Sequence, residues 1–176
     1  MRQLSLSKRI AFGLLSVFAI ALVSWGAAGH RTVAAVAERH LLPNVSKVVS
    51  VYLEGQGMTE VSSWADEVRN EPAYQHTASW HFLNLPLGLG HDAFVKYVAG
   101  LDNDNVYRAI LKSEEMLKND SADVKTRQEA LKFLIHFIGD AHQPMHISRK
   151  EDKGGTRYRL DLTAREPTCI ACGIAS

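Results

Sequence analysis

His136 and Asp140 stand four residues apart in an apolar-patterned stretch, so a helix would place both on one face. Pro144 follows, and it should bend the chain and redirect His146. The run reads His136-Phe137-Ile138-Gly139-Asp140-Ala141-His142-Gln143-Pro144-Met145-His146. Imidazole and carboxylate ligands at this spacing suit zinc, and one carboxylate can bridge two ions. Spacing alone leaves two readings open: a metal site, or a polar helix end whose histidines are satisfied by hydrogen bonds. His142 falls off the shared face and reads as a supporting or buried hydrogen-bonded group rather than a ligand.

Three other segments could converge on this one. Trp25-Gly26-Ala27-Ala28-Gly29-His30 would offer a free α-amino group and its own carbonyl as a chelate, if everything before Trp25 is removed. His30, at a helix start, could complete that site. Asp66 and Arg69 lie three apart, which suits either a metal and phosphate clamp or a surface ion pair. Trp80-His81-Phe82-Leu83-Asn84 sets a histidine among aromatics, as a ligand beside a base-stacking platform or as the edge of a core.

The elements that must position these groups are helices. Gly29 to Leu42 carries Val33, Val36, Ala37 and Leu41 on one face, and Pro43 ends it. Further helices are predicted over Val45 to Leu53 and Thr59 to Arg69. In Asn103 to Lys118, Val106, Ile110, Leu111 and Leu117 should turn inward, with Asp102 or Asn103 as the cap. The strongest pattern is Ser121 to Ala141, with Leu131, Leu134, Ile135 and Ile138 as its stripe. Convincing alternating strands are absent, although Arg157 to Leu162 could form a short one. The pattern predicts an all-α chain of one domain with long loops.

Bulk properties set limits on function. A chain of 176 residues suits one domain with a real core. Its net charge of +1 provides no global field to recruit a polyanion, so a nucleic acid would need a local site. Cys169 and Cys172 are the only cysteines, which excludes a disulfide framework across the fold. Arg2, Lys8 and Arg9 followed by the apolar run Ile10 to Val23 read as an export signal cut after Ser24. An uncleaved anchor is the alternative, because Leu22 is a poor residue two places before the cut. The run is short for a membrane span. A secreted or periplasmic monomer without stable membrane association is expected.

Taken in order, Trp-Gly-x-x-Gly-His, Trp-Ala-Asp-x-x-Arg, Trp-His-Phe, His-Phe-x-Gly-Asp-x-His-Gln-Pro-x-His and Asp152-Lys153-Gly154-Gly155 resemble the S1/P1 nuclease family. The resemblance runs from Trp25 to about Thr156. It implies a packed-helix fold similar to that of zinc phospholipase C and a hydrolase holding up to three zinc ions. The implied reaction is cleavage of single-stranded DNA or RNA to 5′-phosphate products, with 3′-nucleotidase activity. By the same resemblance, Asp66, His81, His136 and Asp140 would hold the first zinc. Trp25 and His30 would join a bridging Asp140 at the third, and His146 would serve the second. Arg69 would stabilise charge on the phosphate, with Asp66 and Asp140 as its catalytic partners. Phe82 would stack on a base, and Asn84 would hydrogen-bond it where several members have aspartate.

The resemblance stops after Thr156, so 157–176 reads as a divergent tail. Family members continue with a His-x-x-x-Asp pair for the second zinc, whereas this chain has no histidine after His146 and its last aspartate is Asp161. The second zinc site is therefore expected to be incomplete and the C-terminal part of the fold missing, leaving Leu131 to Ile138 uncovered. Cys169 and Cys172 could substitute as thiolates, pair with each other, or be incidental. The alternatives to an active nuclease are an inactive zinc-binding remnant and a zinc phospholipase C. Trp64-Ala65-Asp66 with Arg69, and His81-Phe82, favour the nucleic-acid branch.

Overall fold

Apolar residues recurring every three or four positions commit most of this chain to helix, and the computed structural model describes residues 25–152 accordingly. The export segment, the 157–162 strand, the tail, Asp161 and both cysteines lie outside the described residues. A turn broken at Gly26 (Trp25–Gly29) leads into α1 (His30–Arg39). Then come α2 (Pro43–Tyr52), α3 (Met58–Val61), α4 (Trp64–Val68), a 3-10 turn (Gln75–His81) and β1 (Leu83–Asn84). α5 (His91–Ala99), α6 (Val106–Lys118), α7 (Val124–Ala141), β2 (Ile147–Ser148) and a last 3-10 turn (Lys150–Asp152) complete the order.

The all-α expectation holds, with one small departure. β1 and β2 pair in parallel, Leu83 opposite Ile147 and Asn84 opposite Ser148. Pro43 both closes off α1 and opens α2 at its first position, where a missing N–H costs nothing. The helix predicted over Thr59 to Arg69 is two helices. Ser62 Oγ turns back to the Thr59 carbonyl at 2.9 Å, and the Asp66 N–H reaches Ser63 O instead of Ser62 O. The cap of α6 is Asn105, not Asp102 or Asn103. Its side chain accepts from the Arg108 N–H at 3.0 Å and donates to the Asn103 carbonyl. α7 starts at Val124, capped by Asp123 on the Thr126 N–H at 2.9 Å. α5 was not anticipated.

α7 is the axis of the fold. One side of it joins Phe133 and Phe137 to Ala65, Trp80, Leu83, Val98, Val106 and Ala109. The other joins Ile135 to Ala34, Leu53, Met58 and Val61. Phe133 and Phe137 stack at 5.3 Å, with Trp64 and Trp80 edge-on to Phe133. The predicted stripe was thus off-centre: Leu131, Leu134 and Ile138 are only half-buried, while the two phenylalanines and His136 are deeply buried. Leu131 to Ile138 is nowhere exposed. Exposed apolar side chains include Leu42, Val45, Val48 and Val51, on and just before α2, and Val36 and Leu111, predicted inward, are also exposed. Among the described residues no helix is long and apolar enough to cross a membrane.

Candidate metal centre

The centre is built around one carboxylate. α7 delivers His136 and Asp140 from successive turns, with Asp140 1 % and His136 0 % exposed. Asp140 Oδ2 lies 2.9 Å from His81 Nδ1 and 3.2 Å from His136 Nε2. Its Oδ1 lies 3.3 Å from His30 Nε2 and 3.2 Å from His146 Nδ1. Four imidazoles from four parts of the chain therefore face one aspartate: α1, the 3-10 turn, α7 and the segment before β2. Asp66 Oδ1 stands at the rim, 3.9 Å from His81 Nδ1 and 4.0 Å from His136 Nε2.

Two backbone carbonyls fix the rings. His136 Nδ1 is 2.7 Å from the Ser62 carbonyl, the group released by the break between α3 and α4. His146 Nδ1 is 2.7 Å from the His81 carbonyl. A neutral His136 donating to Ser62 turns a bare Nε2 towards an ionised Asp140 oxygen at 3.2 Å. Two lone pairs cannot face each other there without a proton or a cation between them. Asp140 Oδ1 has no aligned hydrogen bond despite its two imidazole neighbours, and His30 Nδ1 and His81 Nε2 are buried without partners. This donor set, borderline imidazole nitrogens around an anionic oxygen with the ring tautomers pinned from behind, fits zinc.

The electrostatics agree. Burial pushes the Asp140 carboxyl up, but its contacts with His136, His146, His30 and His81 outweigh that and hold it well below the usual carboxylate range. Burial pulls the His136 imidazole down, yet Asp140, the Ser62 carbonyl and Asp66 together raise it. Asp140 raises the His146 imidazole against the opposing effect of burial. The carboxylate is thus kept charged, and in the metal-free protein protons on His136 and His146 are its counter-ions.

Of the predicted ligands, His81, His136 and Asp140 form one group able to hold an ion, and His30, Asp66 and His136 form a second. The structure thus draws Asp66 towards His30 as well as towards His81 and His136, where the sequence assigned it to the first zinc alone. His146 belongs to neither group among the described residues. Trp25 begins the turn that leads into His30. Arg69 follows α4, 51 % exposed, with Nη1 3.2 Å from Asp66 Oδ1. Phe82, 40 % exposed, follows directly on His81, and its carbonyl accepts from the Val106 N–H. Asn84 sits half-buried in β1. His142 is exposed and bonds the Ile138 carbonyl through Nδ1, away from the cluster. His40, His76 and His91 are exposed. Sequence reasoning missed the Ser62 carbonyl; the Ser62-Ser63 pair inside a predicted helix was the available signal.

Comparison with known proteins points the same way as this geometry. Residues 25–168 match the family model described as S1/P1 Nuclease. The chain is 32% identical to "Nuclease P1" of Penicillium citrinum over 126 residues, covering 69% of this chain and 47% of that protein. It is 31% identical to "Endonuclease 2" of Arabidopsis thaliana over 152 residues, covering 81% and 52%. With "Nuclease S1" of Aspergillus oryzae it shares 25% over 133 residues, covering 74% and 46%. The chain spans about half the length of these relatives.

Proposed function

This chain belongs to the S1/P1 nuclease family, and from that premise we propose that it is a zinc-dependent phosphodiesterase acting on single-stranded DNA or RNA, exported from the cytoplasm. The observation that carries the reading is the convergence of His30, His81, His136 and His146 on the two oxygens of a buried, ionised Asp140. His81, His136 and Asp140 would hold one zinc, with Asp66 at its rim. His30, with Trp25, would hold another across Asp140, and His146 would offer a ligand to a third. Zinc bound there would supply hydroxide near neutral pH and neutralise charge on the leaving oxygen.

The protein's own groups do the rest. Asp66 holds the Arg69 guanidinium at the rim, where it can fork onto two phosphate oxygens and steady the charge that grows during in-line attack. Phe82 offers a ring to solvent directly beside the ligand His81. An unstacked base on that ring sets its own phosphate over the centre, which a base held in a duplex cannot do. Asn84 would hydrogen-bond the base edge. The Ser62 and His81 carbonyls keep the His136 and His146 protons on Nδ1, leaving each Nε2 lone pair for a ligand role.

The test is turnover by zinc-loaded protein of single-stranded DNA, duplex DNA, a 3′-nucleotide and phosphatidylcholine. Cleavage of single strands to 5′-phosphate ends, with release of phosphate from the 3′-nucleotide, is the expected outcome. Hydrolysis of phosphatidylcholine in preference to single strands would overturn the substrate assignment. Tight zinc binding with no turnover of any of the four would make the chain a zinc-binding remnant.

A further inference from the structure

A glycine at position 139 is unusual on its face. It lies inside α7, where glycine disfavours the helix relative to alanine, and it is buried. Its backbone does not require glycine, because the positive-φ glycines of the described residues are Gly55 and Gly88. The reason is space. A Cβ on residue 139 would collide with Nδ1 of His30 and stand 3.0 Å from its Cε1 and 3.4 Å from its Cγ. At Gly26, Gly55, Gly57, Gly88, Gly90 and Gly100 a Cβ would meet nothing closer than 3.5 Å.

The imidazole of His30 cannot simply step aside. It is 3% exposed and lies flat on His136, with ring centroids 3.9 Å apart and planes 15° from parallel. His136 and Gly139 are one turn apart on α7, so the ring spans both, resting on one side chain and filling the gap left by the other. That seat aims His30 Nε2 at Asp140 Oδ1, 3.3 Å away. The collision would therefore fall on the ring whose aim decides whether the group of His30, Asp66 and His136 can assemble.

We infer that Gly139 is a positioning residue for the metal site that includes His30, its missing side chain being the seat of that imidazole. The inference rests on the metal-centre reading for its consequence, but not for its geometry. Gly139 touches no ion and no substrate. It acts through His30 alone, so removing the ring should remove the need for glycine.

The experiment is a double-mutant cycle on the full chain, combining Gly139→Ala and His30→Ala, read by melting temperature in chelator and by cobalt(II) titration. In the metal-free wild-type background, Gly139→Ala is expected to lower the melting midpoint by about 4 °C or more. In the His30→Ala background the same change is expected to be neutral or to raise it, because alanine favours a helix once the clash is gone. In the titration, the cobalt step lost in His30→Ala is the step lost or weakened at least about tenfold in Gly139→Ala. Gly139→Ala that raises the midpoint in both backgrounds, or lowers it equally in both, overturns the inference. If Gly139→Ala does not fold at all, the double variant decides: a folded double variant supports the seat, and an unfolded one overturns it. The sign reversal in chelator without any cobalt binding in wild type would leave the seat standing and sink the metal reading.

Discussion

The imidazoles of His30 and His136 lie face to face, their centroids 3.9 Å apart, over a carboxylate that touches both. Asp140 also meets His81 and His146, so one buried anion is shared by four imidazoles. The pH behaviour of the centre follows from this arrangement.

In the metal-free protein, His136 and His146 have folded values raised above the ordinary one near 6.5, so their contribution is complete below that pH and is lost as pH rises through the folded values. Asp140 is depressed, so its contribution is present above about pH 4 and fades only in strong acid. Melting temperature in chelator should therefore peak between about pH 4 and 6.5 and fall towards pH 8.5. The gain in midpoint on adding zinc should show the reverse trend, growing as the competing protons leave. A metal-free midpoint that stays flat from pH 5.5 to 8.5 would contradict the assignment.

Asp140→Asn keeps the shape of the side chain and removes the anion that four imidazoles share. Leaving buried, charge-bearing partners without it should cost about 3 kcal/mol in chelator. Zinc content per chain, measured by elemental analysis after dialysis, should drop by at least one equivalent. Undiminished zinc in this variant would mean that the ions, if any, sit elsewhere.

Phe82→Ala removes a half-exposed ring whose backbone bond to Val106 survives the change. Stability should shift by less than about 0.5 kcal/mol. KM for single-stranded DNA should rise about 10-fold or more, the loss of roughly 1–3 kcal/mol of stacking, with zinc content unchanged. An unaltered KM would remove Phe82 from the substrate site.

Arg69→Lys keeps the charge beside Asp66 and loses the planar fork. Turnover should fall about 10-fold or more while zinc content and melting temperature hold. Retention of full kcat would show that Arg69 makes only a surface ion pair.

Much of this centre was legible in the sequence because its imidazoles and carboxylates come in short motifs. His136 and Asp140 advertised a shared helical face, and Pro144 marked the turn that brings His146 back. What could not be read was the partnership of segments far apart in the chain. Nothing local in the sequence says that His30 stacks on His136, or that the Ser62 carbonyl is 2.7 Å from His136 Nδ1 across 74 residues. The helix boundaries erred where polar side chains compete with the backbone: Ser62 split one helix, and Asn105 took over the cap from Asp102 and Asn103. The core stripe of α7 was misplaced because the aromatic pair Phe133 and Phe137, rather than the aliphatic residues, faces the largest neighbours.

The two-residue parallel bridge has a consequence in time. Leu83 meets Ile147, and the His81 carbonyl meets His146, only after the whole α5–α7 segment has been closed into a loop of more than sixty residues. α6 and α7 are neighbours in sequence and can find each other early, whereas this clasp pays the full entropy of loop closure for few bonds of its own. If the centre holds zinc as proposed, competence to capture it would be a late acquisition of the folding chain. A nascent or partly refolded molecule would carry nearly all its helices and still lack the assembled ligand set, so circular dichroism would recover before metal uptake does.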